Sequence, residues 1–459
     1  MTNYDELAEA DADEEHKVWI RAVFDASAEI VDFVDARLNG GGTARYNGFF
    51  KGSFNFSYHI GFGGRRPSVL IRFAMPGESV TSWRDEKVAN EAQIIEYLHE
   101  HTSIPLPYIH CWGLTKESPR QLGPFLIMDF IPGLPLSTFL SRPVSNKYDP
   151  LVLNPDIDNT TLDQVFGQIA DYMLQLSRLS FPRIGAISRA GSGLGTWTVT
   201  GRPLTFNMNL LATVTGYPVD QFPTEPINRA SDFFEEIARQ HLLHLETQRN
   251  LAVSEADAEK RFVARHRFRQ LIPKFCADEA NAGPFLLFCD DLQPANMLID
   301  PHTLRITAVL DFEFTNSMPA QFAHDPPWWL LLRSPGVWIE DHGMDDFLAS
   351  YVPRMEQFLR ALENVEAKSP LEGREPRLST RMRDSWESGR FWFNYAARRC
   401  LDVDTVYWDA LHDRGDGDGL SLLDPATRAQ AGAVARTKME QLRSYKKEYA
   451  ARFSEEASR

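Results

Sequence analysis

The chain has 459 residues, a formal charge of -15, and 43% hydrophobic and 12% aromatic content, which predicts two or three folding units rather than one core and excludes a fibrous or wholly disordered chain. The acidic balance, with no basic stripe, excludes a nucleic-acid backbone as partner. No run of about eighteen uncharged apolar residues marks a membrane span, and the four cysteines match no CxxC or zinc spacing.

The start, MTNYDELAEADADEEH, has seven acids and no Lys or Arg between Met1 and His16. It lacks both parts of a signal peptide, so residues 1–16 are expected to be a solvated, disordered acidic tail on a cytoplasmic protein. From Lys17 to Leu38 the apolar spacing predicts one helix, stopped by Asn39-Gly40-Gly41-Gly42. Three β-like runs follow, Ala44 to Lys51, Phe54 to Phe62 and Ser68 to Phe73, separated by glycines and read as antiparallel strands. Ser82 is placed to cap a helix running to about His101, broken by Pro105 and Pro107. PFLIMDF, Pro124 to Phe130, is a further strand, and Pro132-Gly133 closes the segment.

The remainder reads as mostly helical, with helices over Asp158 to Leu179, Ala230 to Glu246, Glu255 to Ile272, Met382 to Arg399 and, capped by Asp424, Pro425 to Phe453. The fold class is therefore α+β: a small antiparallel-sheet lobe over residues 17–133, joined through a hinge to a large helical lobe over residues 134–459.

The chemistry concentrates in FLLFCDDLQPANMLID and RITAVLDFEF. An apolar run delivers Asp291, Asn296 follows five residues later, and Asp311 ends another strand-like run. A carboxylate to orient a hydroxyl, together with hard oxygen ligands for Mg²⁺, is what phosphoryl transfer requires of a protein.

D-L-Q-P-A-N at Asp291 to Asn296 resembles the catalytic loop of protein kinases and, more closely, that of the aminoglycoside phosphotransferase and choline kinase family. Asp311-Phe312-Glu313 resembles its D-x-E metal segment. The resemblance implies a bilobal protein-kinase-like fold, ATP and Mg²⁺ as cofactors, Asp291 as catalytic base, and Asn296 and Asp311 as metal ligands. Asp290 is the neighbouring decoy, since only Asp291 has the five-residue offset to Asn296.

Upstream, Lys51 to Ser57, with Gly52, Ser53, Phe54 and Asn55 at its turn, resembles the family's phosphate-covering hairpin. Arg72 stands where the family has a phosphate-contacting lysine, with Glu91 as its partner, and Met128-Asp129 resembles the adenine-contacting hinge. EHTSIPLPYIHCWGL, LSRLSFPRIGAI, DPPWWLLL and SGRFWFNYAAR are similar to segments of fungal phosphotransferases of this superfamily.

Two departures stand out: Cys289 where the family usually has histidine, and Arg72 for lysine. They leave a second reading open, a catalytically impaired pseudokinase that binds nucleotide or a partner. The little room between Asp311 and DPPWW, the missing arginine before Asp291, and the long span between hinge and catalytic loop favour a small-molecule hydroxyl as acceptor. The protein is expected to be a monomer or weak dimer. Asp325 is placed either to brace the catalytic loop or to cap a helix. Trp328, Trp329, Trp386, Phe391, Trp392 and Tyr395 read as core aromatics, and His241, His244 and Glu246 lack the H-E-x-x-H pattern of a metal site.

Overall fold

The computed structural model describes residues 4–144, 146, 149–189, 195–276, 278–368 and 376–456. Two helices come first, α1 (Glu6–Asp25) and α2 (Ser27–Arg37), then strands β1 (Arg45–Lys51), β2 (Asn55–Gly61) and β3 (Val69–Ala74), helix α3 (Arg84–His101), and strands β4 (Ile109–Gly113) and β5 (Phe125–Asp129). The five strands make one antiparallel sheet in the order β1-β2-β3-β5-β4.

The two-residue period of the strands divides their side chains between the faces. Phe56, Tyr58, Ile60, Ile71, Phe73 and Ile127 pack against Trp19, Val23, Ile30 and Val34 of α1 and α2. On the other face Leu126 and Met128 meet Val88 and Ala92 of α3, and Arg72 shares that face.

Three expectations need correction. Residues 6–16 are helical, not disordered: Asp5 caps α1 by accepting from the Leu7 and Ala8 amides at 3.1 and 3.3 Å, and Leu7, His16 and Trp19 are buried. Apart from the capping Asp5, which is buried, the acids lie towards the solvent side of an amphipathic helix, so their number did not prevent its docking; Met1 to Asn3 lies outside the described residues. The single helix expected from Lys17 is two, parted at Ala26, where the Ser27 hydroxyl donates to Phe24 O at 2.7 Å. Ser82 caps nothing: a 3-10 turn, Thr81–Trp83, enters α3, and buried Trp83 packs edge-on against Phe222 at 5.3 Å.

Strand β4 was not foreseen within EHTSIPLPYIHCWGL. The helix expected over Met382 to Arg399 is broken into Leu378–Glu387 and Arg390–Arg398 by Gly389, whose φ of 76° lies in the left-handed region that favours glycine. Four other long helices fall close to their expected positions, Asn159–Leu176, Ala230–Thr247, Glu255–Phe275 and Pro425–Glu456, whereas the 25-residue helix Met344–Lys368 was not foreseen.

Within this α+β, two-lobed architecture, two antiparallel ladders hold the loops that matter. Strand Phe285–Phe288 pairs with Asn316–Met318, and Met297–Asp300 pairs with Arg305–Val309. Residues 289–296 and 310–315 therefore leave one ladder and enter the other side by side, and the Leu310 amide donates to Asn296 O at 2.8 Å.

Candidate active site

The cleft between sheet and helical lobe has a volume of about 650 Å³, within the range of small-ligand sites. Every residue given a catalytic, metal or nucleotide role from sequence lines it: Gly52, Ser53 and Phe54 from the β1-β2 turn, Asn55 at the start of β2, Arg72 from β3, Glu91 from α3, Met128 and Asp129 from β5, and Asp291, Asn296 and Asp311 from the paired loops.

The Asn296 side-chain amide donates to Asp291 O at 3.0 Å and to Asp291 Oδ2 at 2.7 Å. Gln293 Nε2 donates to the other carboxylate oxygen of Asp291. With its amide nitrogen so committed, Asn296 has Oδ1 to offer a cation. Burial lifts the Asp291 carboxyl above the usual aspartate range, while the Arg399 guanidinium and the Asn296 amide hold it partly down.

Asp311 sits at φ 64°, a strained backbone for a non-glycine residue. Arg72 forms an ion pair with Glu91 and approaches Asp311 Oδ1 with Nη1 at 3.7 Å. Glu91 Oε1 and Asp311 Oδ1 are buried without a hydrogen-bond partner. Among the described residues, Glu91, Asp311 and Glu313 alone meet the spacing of a shared ion, with ligand oxygens within 4.8 Å of one another. Burial and the Glu313 charge together push the Asp311 carboxyl well up. Orphaned buried oxygens among converging carboxylates suit a hard divalent cation.

Asp290 is turned the other way: Oδ1 accepts from Arg398 at 2.6 Å and Oδ2 from Arg399 at 2.7 Å. Arg398 also reaches Asp325 Oδ2 at 3.3 Å, and Asp325 Oδ1 accepts from Ser385 at 2.6 Å and Asn394 at 2.8 Å. Asp325 thus supports the loop through Arg398 and Asp290, by side-chain bonds rather than by accepting backbone amides. Cys289 is buried, and burial pushes its thiol up, which keeps it protonated and unsuited to nucleophilic work.

Three features of the site were not read from the sequence. Lys87 is buried in an ion pair with Glu313 and donates to Asn55 Oδ1 at 3.3 Å, so the Asn55 side chain faces these two groups. Phe54 packs on Phe206 and Phe314 with ring centroids 5.8 and 5.9 Å apart, seating the hairpin turn on the helical lobe. Where β5 leaves the sheet, the Asp129 amide donates to Tyr108 O at 3.0 Å and the Phe130 amide to Ser68 O at 3.1 Å, so both amides are already committed. Trp386, Phe391, Trp392 and Tyr395 stack among themselves and Tyr351. Trp328 instead donates to Asp290 O at 3.2 Å. His244 lies against Arg265 at 3.1 Å, a packing role.

A model of the phosphotransferase enzyme family matches residues 50–325. The chain is 26% identical over 260 residues to clavilactone A biosynthesis cluster protein Y of Ampulloclitocybe clavipes. That match covers 54% of each protein, so the chain spans about half the length of this relative. Among solved structures it is similar to a thermostable mutant of an aminoglycoside phosphotransferase in ternary complex with ADP and hygromycin B, at 14% identity and a TM-score of 0.42, covering 89% of this chain and 98% of that one. It is likewise similar to an ethanolamine kinase of Plasmodium vivax, at 12% identity and a TM-score of 0.43, covering 87% and 84%.

Proposed function

The chain belongs to the phosphotransferase enzyme family, and on that premise we propose that it is an ATP-dependent, Mg²⁺-requiring kinase acting on a hydroxyl of a small molecule. The observation that carries this reading is the convergence on one cleft of Asp291, held by Asn296, and of Asp311, whose buried Oδ1 has no hydrogen-bond partner.

In this reading Asp291 orients the acceptor hydroxyl and takes its proton at a carboxylate oxygen; burial, which raises its proton affinity, suits that task. Asp311 and Asn296 hold the metal through oxygen ligands. When bound, Mg²⁺ supplies positive charge against the transferring phosphoryl group. The turn Gly52 to Asn55 covers the phosphates, Asn55 contributing backbone only because its amide is committed to Lys87 and Glu313. Arg72, held in place by Glu91, contacts the phosphates, and the hinge around Met128 and Asp129 borders the adenine.

The pseudokinase reading has one observation in its favour: Arg72 lies 3.7 Å from Asp311 Oδ1, where a guanidinium competes with a cation. Nucleotide-induced thermal stabilisation with and without Mg²⁺ separates the two; a working site gains stability from the metal and loses that gain in Asp311→Ala. For the reaction, incubation with Mg²⁺-ATP and a metabolite extract is expected to yield ADP together with a product heavier by one phosphoryl group. Asp291→Asn should lower turnover about 10²- to 10⁴-fold. Undiminished acceptor-dependent ADP formation in that variant would refute the assignment of Asp291.

A further inference from the structure

We infer that Lys87 is a positioning residue of this site: its ammonium stands at Glu313 where a second cation would otherwise sit, leaving Asp311 and Asn296 as the residues that hold metal. The inference rests on the metal-site reading above, but concerns a residue with no place in it.

Glu91 and Glu313 are 1% and 4% exposed, and their oxygens and those of Asp311 gather within 4.8 Å. Carboxylates gathered this closely repel one another, so each needs a positive group beside it. The chain supplies two. Arg72 serves Glu91 and Asp311; Lys87, 2% exposed, serves Glu313.

Glu313 Oε2 also accepts from Asn55 Nδ2 at 2.9 Å, and Asn55 Oδ1 receives the Lys87 ammonium at 3.3 Å. The three side chains form a closed triangle, flanked by the rings of Phe54 and Phe314, whose centroids lie 5.8 and 5.4 Å from Lys87 Nζ. Recruiting Glu313 to a metal would leave a buried ammonium with one amide oxygen and two aromatic faces, a costly state. By contrast, Glu91 Oε1 and Asp311 Oδ1 have no hydrogen-bond partner.

The triangle also has a mechanical consequence. Asn55 belongs to the phosphate-covering turn, Lys87 to α3 and Glu313 to the Asp311 segment, so one ammonium fixes all three relative to one another. Lys87 and Glu91 lie four residues apart on one face of α3, and the helix sets both anchors at once.

The test uses Mn²⁺ alone on the full, nucleotide-free chain, titrated by electron paramagnetic resonance and by thermal shift. Lys87→Met keeps the aliphatic stem between the rings and removes the charge, which frees Glu313 to join Asp311 as a second carboxylate on the metal. Mn²⁺ should bind it about tenfold tighter than wild type, with a larger Mn²⁺-induced gain in melting temperature. Lys87→Arg should behave as wild type, and Lys87→Met/Glu313→Gln should lose the gain. Equal Mn²⁺ affinity in wild type and a folded Lys87→Met overturns the inference. Should Lys87→Met not fold, Glu313→Gln alone decides: unchanged Mn²⁺ binding supports it, and weakened binding, which makes Glu313 a ligand, overturns it. The readout needs no turnover, so failure of the kinase reading and failure of this one are distinguishable.

Discussion

Arg398→Met tests the support beneath the catalytic loop. Arg398 is buried and bridges Asp290 at 2.6 Å and Asp325 at 3.3 Å, with its guanidinium over the Phe288 and Phe322 rings. Methionine preserves the packing and removes the charge. Stripping one partner from a buried pair costs about 3–5 kcal/mol, and the cost should depend on pH through Asp325. Burial, the largest influence, raises that carboxyl to about 6 against the pull of Arg398. A carboxyl raised on folding favours the native state most below its unfolded value near pH 4, and that contribution fades as pH rises through the folded value.

Without Arg398 the carboxyl ionises at still higher pH, each 1.4 kcal/mol moving that point by roughly one pH unit. At pH 5 Asp325 is largely protonated with or without Arg398, and its share of the penalty vanishes. At pH 8 it is ionised in the wild type, and the variant bears the full loss. Urea midpoints at pH 5, 6, 7 and 8 should show a penalty about 2 kcal/mol smaller at pH 5 than at pH 8. The Asp325→Asn/Arg398→Met double variant should lose that dependence. A penalty independent of pH would refute the idea that Arg398 compensates a buried Asp325 carboxylate.

Trp19→Ala should destabilise the chain by roughly 3–5 kcal/mol, because the indole is buried among Val23, Phe56 and the sheet and donates to Leu122 O at 2.6 Å; a change under about 1 kcal/mol in chemical denaturation would mean that α1 is only loosely docked. The acid limb of kcat/KM should lie above that of a solvated aspartate, since burial raises Asp291; a limb at or below the ordinary aspartate value would exclude Asp291 as the titrating base. Native alkylation with iodoacetamide at pH 8, followed by peptide mass mapping, should leave Cys289 unmodified, because burial keeps its thiol protonated; rapid labelling would reopen a nucleophilic role.

Sequence spacing carried the parts of this structure that are local. The β-rich runs of β2 and β3, bounded by glycines, and the apolar stripes of four of the long C-terminal helices were legible because composition and period specify them locally. The offset from Asp291 to Asn296 was legible through the resemblance to the family's catalytic loop, and it separated Asp291 from Asp290, which the arginine pair then explains. The parts that were missed depend on distant partners. Seven acids made residues 1–16 read as solvated, yet a Cβ at Gly77 would come within 2.3 Å of Ala12 O, so this stretch of α1 lies against a loop some sixty residues downstream in sequence. Asn55 meets Glu313 across 258 residues, and Arg398 meets Asp290 across 108.

One of these misses did leave a trace. Arg84, Lys87 and Glu91 are all buried, at offsets of three and seven that put them on one stripe of α3, beside the apolar Val88, Ala92 and Ile95. A solvated helix face has no reason to bury two cations and an anion at the border of its apolar stripe. Charged residues at such inward positions break the binary pattern, and functional sites are where that pattern is broken. The apolar stripe of α3 packs Val88 and Ala92 on the sheet, and its charged stripe meets buried polar partners, with Glu91 reaching the cleft. The charge order along the second stripe then matches its partners: Arg84 turns to the Ala74 and Leu122 carbonyls, Lys87 to Glu313 and Glu91 to Arg72. The cation at position 87 and the anion at position 91 are each set by the opposite charge packed against that turn of the helix, which is why exchanging their signs would break two ion pairs at once.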